Sequence, residues 1–318
     1  MSNGQVRVAV IGTGETGRGW AALVAAAGWP VTIYDNHGAD PGDAPAEIAQ
    51  RARRLVELHR ATSDTVENGL ELMTVGRSLL EACRDAQWVI SAIREDVKTK
   101  QRLIESLETA APEARVVSSS STAITPKQLV ARAARPERCM IVHPLHPPEL
   151  IPLVEVVPGA QADPVLIELV KGWLRALGRV PVLVKKPVLG NVVGRISAAV
   201  WREAIDLVLT GVIDVDDLDR AISLGPALGW AAAGPHLSYR LNSGNEGFAQ
   251  FFQHLHQTFG PVWSDLASWG QLTPEQQQAM TGQIERAYQG KLDTIREARD
   301  RRLAAILKGI EDVKSAEE

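Results

Sequence analysis

Val6-Arg-Val-Ala-Val-Ile11, followed without a break by Gly12-Thr-Gly14-Glu-Thr-Gly17, is the stretch that decides the fold. Its first half is apolar and valine-rich and reads as a buried parallel strand; after the glycines, Arg18-Gly-Trp-Ala-Ala-Leu-Val-Ala-Ala-Ala reads as a helix. Strand, glycine turn and helix in this order suit the binding of a dinucleotide. Gly12 permits the tight turn, Gly14 lets a pyrophosphate approach the backbone, and Gly17 lets the helix pack closely on the strand. The helix N-terminus, with Glu15 and Thr16 in its first turn, faces the phosphates. A second strand, Val31-Thr-Ile-Tyr34, ends in Asp35, which is placed to accept hydrogen bonds from the adenosine ribose hydroxyls. Its charge repels a 2′-phosphate, and Asn36 and His37 follow it instead of an arginine, so NAD is expected over NADP.

The alternation continues outward from this unit. A helix is expected over about 44–60, a strand over Trp88–Ile93, a helix over 98–107, and a strand at Val116-Val-Ser. Thr125-Pro126-Lys-Gln128 carries a helix-start signal: a Thr cap, a first-turn proline and a reciprocal glutamine. Thr273-Pro274-Glu-Gln276 repeats it. Beyond the strand Val180–Val184 the pattern turns helical and stays so. All four phenylalanines fall on one helical stripe, Phe248, Phe251, Phe252 and Phe259, which reads as core or subunit interface. The expected fold class is therefore α/β: an N-terminal Rossmann domain, a doubly wound parallel sheet, over 1–187, and an all-helical domain over 188–318 for substrate binding and dimerisation. Arg51, Arg53, Arg54 and Arg60 form a basic helical patch best read as a solvated face.

Composition narrows the class further. A net charge of −4 gives no reason to expect nucleic acid, so a small-molecule substrate is expected. No apolar run approaches membrane-spanning length, and no signal peptide is visible. Cys83 and Cys139 lack metal-ligand spacing and imply no disulfide framework, so a cytoplasmic protein is expected.

Two polar residues stand where polar residues are costly. His143 ends the apolar run Arg138-Cys-Met-Ile-Val, and Glu155 interrupts Pro152-Leu-Val-Glu-Val-Val. A carboxylate in a buried strand needs a partner to offset desolvation, and imidazole is the side chain whose ordinary pKa suits proton transfer near neutrality. They read as a catalytic base and its orienter; a purely structural pair is the alternative. His143-x-x-His146 also has a metal reading, but no third ligand has the expected context, so no metal is expected.

These motifs resemble the 3-hydroxyacyl-CoA dehydrogenase family, and within it the branch of lambda-crystallin/L-gulonate 3-dehydrogenase and L-carnitine dehydrogenase. The resemblance rests on the glycine turn, Tyr34-Asp35, Glu95 with Lys100, Ser118-Ser-Ser-Ser-Thr-Ala-Ile, His143-Pro-Leu-His-Pro-Pro and Pro152-Leu-Val-Glu155-Val-Val. It extends to Trp201-Arg-Glu-Ala, Gly225-Pro-Ala-Leu-Gly-Trp230 and Phe259-Gly-Pro. It implies that His143 takes a proton from a substrate hydroxyl while hydride passes to nicotinamide, with Glu155 orienting the imidazole. It also implies that Glu95, Lys100 and Ser120 contact the cofactor, and that a homodimer forms through the helical domain.

Two positions depart from the family pattern. The serine that binds the reacting oxygen falls on Thr122, preceded by Ser121, and the active-site asparagine falls on Gly194 in Gly190-Asn-Val-Val-Gly194-Arg195. Asn191, Ser121 and Arg195 are the candidates for the missing substrate contacts. The expected activity is NAD-dependent oxidation of a small L-3-hydroxy acid to the 3-oxo compound. The alternatives are a ketoreductase, a 3-hydroxyacyl-CoA dehydrogenase, and a non-catalytic NAD-binding protein.

Overall fold

A computed structural model describes residues 5–35, 42–243, 247–290 and 292–317. Asn36 and His37, part of the cofactor-selectivity reading, lie outside the described residues. Eight strands form one sheet: β1 (Val8–Ile11), β2 (Val31–Tyr34), β3 (Thr74–Val75), β4 (Trp88–Ser91), β5 (Val116–Ser119), β6 (Cys139–Pro144), β7 (Leu153–Pro158) and β8 (Val180–Leu183). Their order is β3-β2-β1-β4-β5-β6-β7-β8. The chain winds one way from β1 to β3 and the other way from β4 onward, so a crevice opens beyond the carboxyl ends of β1 and β4, where α/β sheets bind ligands.

The strands bury both faces. Val8, Val10, Trp88, Ile90, Met140 and Val142 belong to one apolar layer, and the alternate residues Ala9, Ile11, Val89, Val117, Cys139 and Ile141 to the other. Trp88 anchors the first layer, 5.7 Å from both the Trp20 and Trp173 rings. Its indole N–H donates to Ser118 Oγ at 2.9 Å, so this fully buried aromatic leaves no unsatisfied donor.

The sheet differs from an all-parallel one at a single pair. β6 and β7 run antiparallel, while every other neighbouring pair is parallel. Residues 145–152 join them, too short a connection for the crossover that parallel strands need. The reversal sets His143 directly opposite Glu155 in the ladder.

The chain divides into two compact units, 1–195 with 299–306 and 196–298 with 307–318. In the second unit Ala204, Ile205, Val208, Val215, Leu218 and Met280 form a small core. The phenylalanine stripe does lie on one helix, Phe248–Asp265, with Phe248 5.9 Å from both Phe251 and Phe252. That helix has no buried residue, so the stripe is not core within this chain. Among the described residues, no helix is long and apolar enough to cross a membrane.

Candidate active site

The glycine turn between β1 and helix α1 (Glu15–Ala26) has three different reasons for its glycines. Gly12 has φ +104°, and a Cβ there would lie 2.7 Å from Ala92 O. A Cβ on Gly17 would lie 1.9 Å from Gly12 O, so the helix can begin here only without a side chain. Gly14, the N-cap of α1, has nothing within 4 Å of such an atom; its open face is what a pyrophosphate would approach. Thr13 N and Oγ1 donate to Asp35 Oδ2 at 2.8 and 2.7 Å, fixing the carboxylate at the end of β2. A cavity of about 950 Å³ runs along this turn past Asp35, Glu95 and Ser120 to Thr122 and His146. Open backbone at a helix N-terminus, a ribose-binding carboxylate and a cavity of this size fit a dinucleotide.

Behind Thr122, which lines the far end of that cavity, is the pair that the antiparallel strands set opposite each other. His143 Nδ1 lies 2.8 Å from Glu155 Oε2, with the two residues 7% and 1% exposed. Burial works to raise the pKa of Glu155, but the bond to His143 and the N–H groups of Val193 and Val192 outweigh it and hold the carboxyl below its ordinary range. Those two N–H groups reach Glu155 Oε1 at 3.0 and 2.8 Å. An ionised carboxylate only accepts, so the imidazole proton sits on Nδ1 and Nε2 is left as the basic nitrogen. Nε2 lies 3.0 Å from Thr122 Oγ1. Base, orienter and hydroxyl form one connected line ending at the cavity.

Residues 7–187 match the model of the 3-hydroxyacyl-CoA dehydrogenase NAD binding domain, and residues 190–281 that of the 3-hydroxyacyl-CoA dehydrogenase C-terminal domain. The chain belongs to the 3-hydroxyacyl-CoA dehydrogenase family. An L-carnitine dehydrogenase of Streptomyces griseus is 34% identical, the match covering 82% of this chain and 76% of that one. The human lambda-crystallin homolog is 29% identical over 80% and 82%. Among solved structures, 5-formyl-3-hydroxy-2-methylpyridine-4-carboxylic acid 5-dehydrogenase, an NAD-dependent dismutase, is 26% identical with a TM-score of 0.81, covering 96% of this chain and 99% of that one. NAD is accordingly the cofactor, and the chain is an NAD-dependent oxidoreductase of this family.

Within this 3-hydroxyacyl-CoA dehydrogenase framework the remaining candidates have distinct placements. Glu95 lines the cavity, but its Oε1 also accepts from Thr122 N at 3.1 Å, Ala123 N at 2.8 Å, Ile124 N at 3.2 Å and the Ser121 hydroxyl. Four donors on one oxygen make Glu95 the anchor of the loop carrying Thr122. Lys100 is 1% exposed; its Nζ donates to Ile93 O at 3.1 Å and lies 3.7 Å from Glu95. It therefore supports Glu95 from behind and does not reach the cavity. Ser120 lines the cavity, with its hydroxyl accepting from Trp20 Nε1 at 3.0 Å. Asn191 is buried, in the left-handed region at φ +52°, and donates to Ser121 O at 3.3 Å. Arg195 is exposed and reaches Leu189 O at 3.4 Å.

Glu15 pairs with Arg51 at 2.6 Å and Arg53 with Glu67 at 2.8 Å, so both arginines are engaged in ion pairs. Sequence reasoning weighed His146 only as a metal ligand and passed over Gly19 and Glu149. His146 Nε2 lies 3.1 Å from Thr16 Oγ1, tying the 145–152 turn to the start of α1. Gly19 leaves room for that turn: a Cβ would come within 2.6 Å of Glu149 Oε2 and 2.8 Å of Pro148. Glu149 is 8% exposed and has a buried oxygen without a hydrogen-bond partner. A glycine two residues past the fingerprint was the one available signal, and its cause lies 130 residues away.

Proposed function

We propose that this chain oxidises the hydroxyl of a small free L-3-hydroxy acid to the 3-oxo compound, with NAD as the hydride acceptor. The observation that carries the reading is the line Glu155–His143–Thr122, in which Nδ1 is held by a carboxylate and Nε2 faces a hydroxyl at the end of the dinucleotide cavity. His143 Nε2 removes the hydroxyl proton, and Glu155 keeps the imidazole in the tautomer that can accept it and stabilises the imidazolium formed. Thr122 Oγ1 holds the reacting oxygen beside Nε2, and in the reverse direction His143 returns the proton. NAD, when bound, takes the hydride from the same carbon. Gly12, Gly14, Glu15, Thr16 and Gly17 would form its phosphate-binding turn, Asp35 would bind its ribose hydroxyls, and Glu95, with Lys100 behind it, and Ser120 would line the cavity that holds it. Ser121, Asn191 and Arg195 complete the substrate side, the first two by shaping it.

The relatives named L-carnitine dehydrogenase support a free acid over a thioester, carnitine being itself a 3-hydroxy acid. We assign 1–187 to cofactor binding and 188–318 to substrate binding and dimerisation. A cytoplasmic homodimer closed through the helical region is proposed because the helix Phe248–Asp265 leaves its aromatic stripe uncovered within one chain. A ketoreductase is the second reading, favoured by the absence of a side chain at Gly194, where the family carries its active-site asparagine.

The test is NADH formation by purified protein with NAD across matched free L-3-hydroxy acids, gulonate and carnitine included, and their CoA thioesters. Turnover of free acids, lost in His143→Ala with NADH affinity retained, is expected. Full activity in His143→Ala, or turnover of thioesters alone, would overturn the reading.

A further inference from the structure

Glu15 carries the wrong charge for its position. It is the first residue of α1 and lines the cofactor cavity between Gly14 and Thr16. A carboxylate there suits the helix dipole but repels a pyrophosphate drawn to the same helix end. Arg51, from the helix Ala44–Glu57, supplies the answering charge, with Nη2 2.6 Å from Glu15 Oε2. Its Nη1 lies 3.5 Å from both Glu15 O and Glu149 Oε1. The Arg51 side chain is 22% exposed and that of Glu149 10%, against 67% for Glu15, so the guanidinium is held from the protein side and the carboxylate faces outward. Arg18, the other arginine at this turn, is committed elsewhere: its Nε donates to Thr13 O at 2.7 Å, and its guanidinium pairs with Asp43 and Glu47. His146 also feels the charge of Glu15, but burial pushes its pKa below the ordinary 6.5, so it is neutral at pH 8.

We infer that Glu15 and Arg51 form a charge pair that sets how tightly the dinucleotide is held. Arg51 does not line the cavity. It is a positioning residue that acts through Glu15, cancelling its charge and holding the carboxylate to one side. The pair goes beyond the dehydrogenase reading and rests on it only in placing the pyrophosphate over Gly14. The net charge of the pair decides the sign of each change: zero with both residues, positive without Glu15, negative without Arg51, and zero again without either. A pyrophosphate responds to that net charge, whichever side chain is missing.

The experiment measures NADH affinity by fluorescence titration at pH 8 in wild type, Glu15→Gln, Arg51→Met and the double variant, methionine keeping most of the arginine's apolar stem. Glu15→Gln should tighten binding and Arg51→Met weaken it, each by roughly three- to tenfold, the scale of a unit charge acting on two phosphates across a few ångströms near a surface. The double variant should return to within about twofold of wild type. The spread among the four should at least halve between roughly 0.02 M and 1 M NaCl, because salt screens exposed charges. Glu149→Gln removes the other carboxylate beside Arg51 and leaves Glu15 paired, so its affinity should stay within about twofold of wild type. A double variant as weak as Arg51→Met, a spread unmoved by salt, or a loss in Glu149→Gln as large as in Arg51→Met would overturn the pair. Gly14→Ala separates this inference from the reading beneath it. Weakened NADH binding in Gly14→Ala with unmoved charge variants overturns the pair alone, whereas no change in any variant removes the pyrophosphate from this turn and the pair with it.

Discussion

His143 and Glu155 face each other directly across the one antiparallel strand pair of the sheet, 2.8 Å apart through Nδ1 and Oε2. The register fixes their distance, and Val192 and Val193 fix the second carboxylate oxygen. Glu155→Gln preserves the shape and removes the charge. An amide that donates to Nδ1 leaves the imidazole proton on Nε2, where the base is needed. A fall in kcat of about 10² to 10³ is expected, the range of a lost positioned acid–base group. NADH affinity, measured by fluorescence titration, should change less than about threefold because the residue does not line the cofactor cavity.

Glu95 illustrates how a cofactor-side residue can act through a loop. Burial works to raise its pKa, but the Ser121 hydroxyl, the N–H groups of Ala123 and Ile124, and the Lys100 charge together hold it below 4.5. A carboxylate whose folded pKa is depressed adds stability that is present above its unfolded value and is lost as pH falls through the folded one. The melting-temperature gap between wild type and Glu95→Gln should therefore be full at neutral pH and close below about pH 4.5. Lys100 loses its counter-charge in that variant, so Lys100→Met added to Glu95→Gln should recover part of the gap at pH 7. No recovery would mean that the buried ammonium is not what Glu95 compensates.

How far the sequence could be read depends on the range of the forces involved. Strands β1, β2 and β4 and both capping boxes follow from local pattern, and Thr125–Gln128 and Thr273–Gln276 form the reciprocal bonds their spacing predicts. The His143–Glu155 pair was legible because a buried charge demands a partner. The helices Ser63–Glu71 and Leu79–Cys83 and the two-residue strand β3 were not, being short and held by contacts that periodicity does not encode. The burial of Lys100 was equally hidden: its partners are a carbonyl and a carboxylate brought together by the end of β4.

Glu149 makes the opposite pH prediction to Glu95. Burial raises its pKa, against the pull of its own backbone N–H and of Arg51, which lies 3.5 Å away. A buried carboxylate with a raised pKa costs stability when ionised; the cost is absent below the unfolded value of 4.5 and grows as pH rises through the folded one. Glu149→Gln should therefore melt above wild type at pH 8. The advantage should shrink toward pH 4.5. A variant that melts lower at every pH would show that the Arg51 ion pair outweighs the desolvation of Glu149.

The glycine turn separates folding from cofactor binding by position. A methyl on Gly17 would sit 1.9 Å from Gly12 O, a backbone atom in a turn that Gly12 N ties to Tyr34 O at 2.8 Å. Something in the β1–α1 unit must move, and α1 packs nine buried residues, Trp20 among them. Gly17→Ala is expected to lower the melting temperature by roughly 10 °C or more, the scale of several kcal/mol of overpacking strain in a protein this size. A methyl on Gly14 meets nothing within 4 Å. Gly14→Ala should melt within about 2 °C of wild type. The same methyl fills the face that a pyrophosphate approaches, so NADH binding should weaken at least about tenfold, the equivalent of one lost backbone contact to a charged group. Calorimetry and fluorescence titration on the two variants read these effects separately. Unchanged NADH affinity in Gly14→Ala would place the pyrophosphate elsewhere than over this turn.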